Sequence, residues 1–151
     1  MKHQRSRYKT AFLAILILSI LLVSCNEAKT TPVRTIEASV LIELNQHEHR
    51  WFRDVKISTE TNGYQLLEIV TNQQIKSKWY PQYNAHFVTS VFGIENENSV
   101  YWAIYVWDEQ FSTWRLSTSS ADALVVEDGQ SIAWARIDPQ SEKYKHPSST
   151  P

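Results

Sequence analysis

The segment His47-Glu48-His49 has the residue types and spacing of a simple metal site. Two imidazoles two residues apart on a strand would lie on the same side, and histidine nitrogen is a common zinc ligand. The segment falls, however, in the polar interval from Asn45 to His49, where we expect a hairpin turn, and no third ligand is evident. We therefore interpret it as a solvated loop and predict no metal. A further histidine, His86, precedes a predicted strand and is expected at its edge.

Catalytic groups are not apparent in the sequence. The serines at 90, 119 and 120 lack the flanking pattern of a nucleophile elbow. The adjacent carboxylates Glu127 and Asp128 precede Gly129 in a predicted turn, where solvated acids are usual. We predict no catalytic residues and a protein that is not an enzyme.

The only cysteine of the 151 residues, Cys25, is the candidate for covalent modification. It ends the segment Leu22-Val23-Ser24-Cys25, which resembles the lipobox of bacterial lipoproteins, and the almost wholly apolar run from Ala11 to Val23 precedes it. Thirteen helical residues reach about 20 Å, short of the roughly 30 Å hydrocarbon core of a bilayer. We predict a lipoprotein signal peptide over 1–24 and a lipid anchor, such as palmitate, on Cys25.

The predicted location is the cell envelope, where the lipid on Cys25 would anchor the protein to the membrane. Asn26 is not the aspartate that commonly retains lipoproteins at the inner membrane, so the outer membrane is favoured in a bacterium with two membranes. Four of the fifteen Lys and Arg residues precede position 25 and all sixteen acidic residues follow it. Residues 25–151 therefore carry eleven basic and sixteen acidic side chains, a net charge of −5 with histidine neutral. This negative charge argues against nucleic acid as a partner.

Aromatic side chains supply the binding candidates. Val100 to Trp107 is the strongest strand signal, and alternation places Tyr101, Tyr105 and Trp107 on one face and Trp102 and Ile104 on the other. A single sheet covered by one helix has one fully buried face, so something must cover the second. The alternatives are the segment around Trp79 and Tyr80, the segment 111–123, or a bound partner. We take five aromatic residues as the candidate ligand site: Tyr101, Tyr105, Trp107, Trp79 and Tyr80.

The elements that would position these residues form an α+β domain over 36–138. Alternating apolar residues predict a strand over 36–44 and a return strand over 51–58. Asn62 and Gln65 resemble a capping box ahead of one short amphipathic helix, and further strands follow over 87–92, 100–107 and 131–137. This order predicts a β-grasp, or ubiquitin-like, single sheet with one helix packed on one face. Residues 25–35 are expected to be a tether and 139–151, rich in proline, a disordered tail.

Three ordered motifs resemble the transcobalamin-like C-terminal domain family. They are the segment Phe87-Val88-Thr89-Ser90-Val91-Phe92-Gly93, the pair Tyr101-Trp102, and the Asp128-Gly129 turn before Trp134. The resemblance covers about residues 36–138 and implies a β-grasp fold. Eukaryotic members form the second domain of cobalamin carriers, and bacterial members occur on exported or lipid-anchored proteins.

The sequence departs from this family where Asp108-Glu109-Gln110 replaces the usual Asn-Gly turn, and the segment 111–123 is longer than usual. The resemblance implies a binding module for a small flat ligand such as a corrinoid (cobalamin), and no other cofactor is expected. The alternative is a protein–protein interaction module that uses its exposed sheet face or edge.

Overall fold

The computed structural model describes residues 34–45, 47–141 and 147–151. The predicted signal peptide, Cys25 and most of the predicted tether lie outside these residues. The elements in chain order are β1 (Thr35–Asn45), β2 (Glu48–Ser58), α1 (Gly63–Val70), β3 (Ile75–Tyr80), a 3₁₀ turn (Pro81–Tyr83), β4 (Ala85–Val91), β5 (Ile94–Glu95), β6 (Tyr101–Asp108), β7 (Thr113–Leu116) and β8 (Ser131–Ile137).

The strands form two sheets. Five strands make a mixed sheet in the order β2-β1-β8-β6-β7, in which β1 and β8 are parallel neighbours and the other pairs are antiparallel. The strands β3, β4 and β5 make a smaller antiparallel sheet. The α+β class is therefore confirmed, whereas the prediction of a single sheet is wrong.

Three strands, β3, β5 and β7, were not predicted from the sequence, and each carries a weak apolar signal; β5 has only two residues. In β3, Lys76 and Lys78 interrupt the apolar residues, and most of the strand is exposed or half-buried. In β7 only Trp114 is buried. Because short edge strands bury few side chains, their periodicity is too weak to separate them from loops.

The helix begins with the predicted capping box. The Asn62 side chain accepts from the Gln65 N–H over 2.8 Å, and the Gln65 side chain accepts from the Asn62 N–H over 3.0 Å. Leu66 and Leu67 are buried, while Ile69 is exposed. Within the described residues, no helix combines the length and apolar character that crossing a membrane requires.

One core lies between the five-stranded sheet, α1 and the smaller sheet. We call the side of the five-stranded sheet that faces this core the first face. The buried residues of this core include Val40, Ile42, Trp102, Ile104 and Trp134 from the first face, Leu66 and Leu67 from α1, and Val88 and Val91 from β4. As predicted, Trp102 and Ile104 lie on the opposite side of β6 from Tyr105.

Candidate functional site

The second face of the five-stranded sheet is covered by the protein itself. Tyr105 has only 1% of its surface exposed and packs in a cluster with Leu41 and Trp114, bordered by Trp51 and Trp107. The Trp107 and Trp114 rings meet edge to face at 5.2 Å between centroids. Tyr105 therefore offers no surface to a ligand, although the sequence analysis placed it in the candidate site.

Residues 147–151, which we call the strap, lie against the same cluster. The Trp51 indole N–H donates to the Ser149 hydroxyl over 3.0 Å, and the Trp114 indole N–H donates to the Ser149 carbonyl over 2.7 Å. The Glu43 carboxylate accepts from both the N–H and the hydroxyl of Ser148, at 2.6 and 2.7 Å. The composition of 139–151 predicts a disordered tail, and composition does not encode the tertiary contacts that Ser148 and Ser149 of the strap make.

An apolar cleft of about 470 Å³ opens where the two sheets separate. On one side, β5 pairs with the outer edge of β4 only at Ser90 and Val91. On the other side, β7 pairs with β6 only from Tyr105 to Asp108. The cleft between these strand edges is lined in particular by Tyr80, Tyr83, His86, Phe87, Tyr101 and Leu116.

Aromatic rings surround one part of the cleft. Phe87 lies 6.1 Å from Tyr101 and 6.4 Å from Tyr80 between ring centroids, and the Tyr80 and Phe87 rings are nearly perpendicular. Tyr83 is exposed beyond them on the 3₁₀ turn. Tyr80 of β3, Phe87 of β4 and Tyr101 of β6 therefore form one aromatic wall, although they lie far apart in the sequence.

A polar group is fixed beside these rings. The Asp122 carboxylate accepts from the backbone N–H of His86 over 2.7 Å, and its second oxygen lies 2.7 Å from His86 Nδ1. The His86 ring is stacked on Tyr64 at 4.1 Å and tilted against Trp79 at 4.8 Å. A carboxylate on Nδ1 sets the tautomer and orientation of an imidazole, so the cleft contains one preoriented polar side chain.

Two side chains join the sheets next to the cleft. The Asn96 amide accepts from the Trp102 N–H and donates to the Val88 carbonyl, each over 3.0 Å. The Trp102 indole N–H donates to the Ile94 carbonyl over 2.9 Å. These bonds connect β6 with the β4–β5 hairpin and so set the separation of the two cleft walls.

The five predicted ligand-site residues are divided among three places. Tyr80 and Tyr101 line the cleft, while Tyr105 and Trp107 belong to the covered second face. Trp79 is exposed on β3 beside His86. Phe87, His86 and Asp122 were not among the predicted ligand-site residues. The His86–Asp122 pair spans 36 residues and so has no local pattern in the sequence.

The residues 47–49 are exposed. His47 lies in the β1–β2 turn, where the Asn45 side chain accepts from its N–H, whereas Glu48 and His49 begin β2. In the described segments 34–45, 47–141 and 147–151, no three His, Cys, Asp or Glu side chains are grouped as a metal ion would require.

No family model and no curated protein sequence matches the chain. Solved structures do resemble it. Haptocorrin in complex with Cbi superposes with a TM-score of 0.52 at 15% identity, over 69% of this chain and 26% of haptocorrin. A protein from Ruminococcus gnavus ATCC 29149, whose description suggests metal binding, superposes with a TM-score of 0.52 at 18% identity, over 68% of this chain and 97% of that one.

These likenesses concern the fold. This chain spans about a quarter of haptocorrin and nearly the whole of the R. gnavus protein.

Proposed function

We propose that the domain is a lipid-anchored cell-envelope module that binds a small ligand with a flat ring system in the cleft between its two sheets. The observation that carries this proposal is the convergence of Tyr80, Phe87 and Tyr101 around an apolar opening of about 470 Å³. Small-molecule sites typically have volumes of roughly 300–1,000 Å³ and apolar walls with few polar groups.

The side chains of the cleft suit a ring-bearing ligand. Tyrosine and phenylalanine faces stack against flat π-systems, and such contacts contribute about 0.5–1.5 kcal/mol each beyond the area they bury. The His86 imidazole, oriented by Asp122, adds one hydrogen-bonding group beside the rings. Apolar walls supply affinity, and a fixed polar group such as His86 supplies orientation.

A corrinoid is the ligand we favour. The resemblance to the transcobalamin-like family suggests it, and haptocorrin in complex with Cbi is among the structural neighbours. The strand order supports the finer assignment of a β-grasp topology, because the first and last strands, β1 and β8, lie parallel at the centre of the larger sheet. The smaller sheet is then an insertion between the helix and β6.

The anchoring part of the proposal depends on the lipobox-like segment that ends at Cys25. With Asn26 following the cysteine, the outer membrane is the proposed site in a bacterium with two membranes. Radiolabelled palmitate should enter the wild-type protein and not C25A when both are expressed in a lipoprotein-processing bacterium. If the wild-type protein took up no label, the proposal of a lipid anchor would be refuted, and the proposal of ligand binding in the cleft would be unaffected.

Ligand binding is tested by titrating the tryptophan fluorescence of the purified protein with cobalamin and cobinamide. We expect a saturable change at micromolar ligand. Y101A and F87A should each weaken binding by about 5- to 20-fold, since each removes a stacking ring and its buried area. F111A is the matched control, because Phe111 is exposed outside the cleft. Absence of saturation, or equal losses in all three variants, would refute the proposal.

The alternative function, partner binding through a sheet edge, has a specific observation in its favour. The cleft is bounded by the outer edges of β4 and β6, which lack strand partners over much of their length in the described residues. The side chains of Asp122 and Asn96 satisfy part of the backbone groups on these edges. An extended peptide can add to such an edge through main-chain hydrogen bonds. Under this alternative, corrinoids leave the fluorescence unchanged, and a pull-down from solubilised membranes recovers one stoichiometric partner.

A further inference from the structure

The recess on the second face already holds a peptide, namely the strap. We propose that this recess is a recognition site for an extended segment of a second protein in which a proline is followed by two small hydroxyl residues, and that the strap occupies the site in cis. The proposal is independent of the cleft, which lies between the sheets.

The recess recognises both the main chain and the side chains of its occupant. Glu43 accepts from the N–H and the hydroxyl of Ser148, and its residue surface is only 9% exposed. Trp114 donates to the carbonyl of Ser149, and Trp51 donates to its hydroxyl. Hydrogen bonds to a charged group contribute more than neutral ones, so Glu43 is the main polar determinant.

The residue types of the occupant follow from these bonds. Each serine hydroxyl reaches its partner over 3.0 Å or less, which a hydroxyl directly on Cβ permits. Pro147 is buried before them, and proline favours the extended conformation of such a segment. A segment of the form Pro-Ser-Ser, or the same with threonine, would reproduce every bond.

The strap is held in a way that allows exchange. It adds no strand to the sheet, and Ser148, Thr150 and Pro151 are exposed. Only Pro147 is buried, so displacement of the strap sacrifices little apolar area. Since the partner groups belong to Glu43, Trp51 and Trp114, an incoming segment finds them already positioned.

A separate protein fits better than a second copy of this chain. Reciprocal exchange of straps between two copies would replace each bond with an identical one and would lose translational freedom. A different protein can add contacts next to the recess, because β7, which carries Trp114, is an edge strand of the sheet.

The strap competes with any partner as a tethered ligand. A ligand tethered within the same chain has an effective concentration on the order of 1 mM. For a peptide with an intrinsic Kd of about 100 μM, the strap weakens the apparent affinity about tenfold. Loss of the strap's own bonds should therefore strengthen binding in trans.

The experiment uses the full chain carrying S148P, which removes both groups that Glu43 accepts from. The probe is a synthetic peptide of residues 147–151, followed through the indole N–H NMR signals of Trp51 and Trp114. Without peptide, the indole signals of S148P should differ from those of the wild type. On saturation with the peptide, they should return to the wild-type positions. The wild-type protein should bind about tenfold more weakly.

Two controls test the chemistry. A peptide with both serines replaced by alanine should bind S148P at least tenfold more weakly. The double variant S148P/W114F should bind the unmodified peptide more weakly than S148P does. The proposal is overturned if S148P leaves the indole signals at their wild-type positions or fails to bind the peptide. A Ser149-dependent dimer of the wild-type chain would instead make the occupant a second copy and would also overturn it.

Discussion

The side chain of Asn96 bonds to the backbone N–H of Trp102 over 3.0 Å and thereby joins the two sheets, since the same amide also donates to the Val88 carbonyl. Trp102 belongs to the β6 edge of the cleft and Val88 to the β4 edge. One amide therefore satisfies a donor on one wall through its oxygen and an acceptor on the other through its nitrogen.

Replacement of Asn96 by aspartate should destabilise the protein and widen the cleft. A carboxylate accepts from Trp102 but cannot donate to Val88, so a part-buried carbonyl loses its partner and faces a negative charge. We expect a loss of about 1–3 kcal/mol in the free energy of unfolding, measured by urea denaturation. N98D is the control, because Asn98 is exposed in the same connection. Equal effects of N96D and N98D would contradict the role of Asn96.

Gly63 is required by close packing at the start of α1. A Cβ there would lie 2.8 Å from Cδ1 of Ile104 and 3.1 Å from Cδ2 of Leu124. We expect G63A to cost about 1–3 kcal/mol, as overpacking of a core usually does. I104V removes the nearest atom, so G63A should cost less in the I104V background, and a double-mutant cycle by urea denaturation measures the coupling. Strict additivity would show that the cost has another origin.

Burial, with smaller contributions in the same direction from the charges of Tyr101 and Glu43, raises the pKa of Tyr105 to about 12. Because the folded pKa exceeds the unfolded value near 10, folding favours the neutral hydroxyl. This contribution, at most about 3 kcal/mol, is complete below pH 10 and is lost as the pH rises from 10 through 12.

Urea denaturation of the wild type and of Y105F at about pH 9 and pH 12 tests this linkage. The wild type should lose more stability than Y105F over that interval, because phenylalanine has no proton to release. Other tyrosines and lysines titrate in both proteins and cancel in the difference. Parallel losses would mean that Tyr105 ionises without constraint from the fold.

Asp122 is expected to support the cleft through His86. D122A removes the acceptor for the part-buried His86 N–H and for the imidazole, so it should cost about 1–3 kcal/mol of unfolding free energy. It should also lower the affinity of the cleft for its ligand, because the His86 imidazole loses the carboxylate that orients it. D108A is a comparison variant, since Asp108 pairs with Arg115 away from the cleft lining. A D122A protein with unchanged ligand affinity would exclude His86 from recognition.

The sequence determined much of the local structure. Alternation predicted β1 and β8 nearly to the residue, and the Asn62 and Gln65 pattern predicted the helix start, because these signals arise from neighbours along the chain. The assignment of opposite faces to Trp102 and Tyr105 followed from the same two-residue period.

Tertiary structure alone decided where the aromatic residues went. Tyr101 and Tyr105 share a face of one strand, yet Tyr101 lines the cleft while Tyr105 is buried beneath neighbouring rings. The His86–Asp122 pair and the bonds from Glu43 to Ser148 span 36 and 105 residues. Periodicity reports which side of an element a residue occupies, but which distant segment covers that side depends on how the two sheets and the strap pack together.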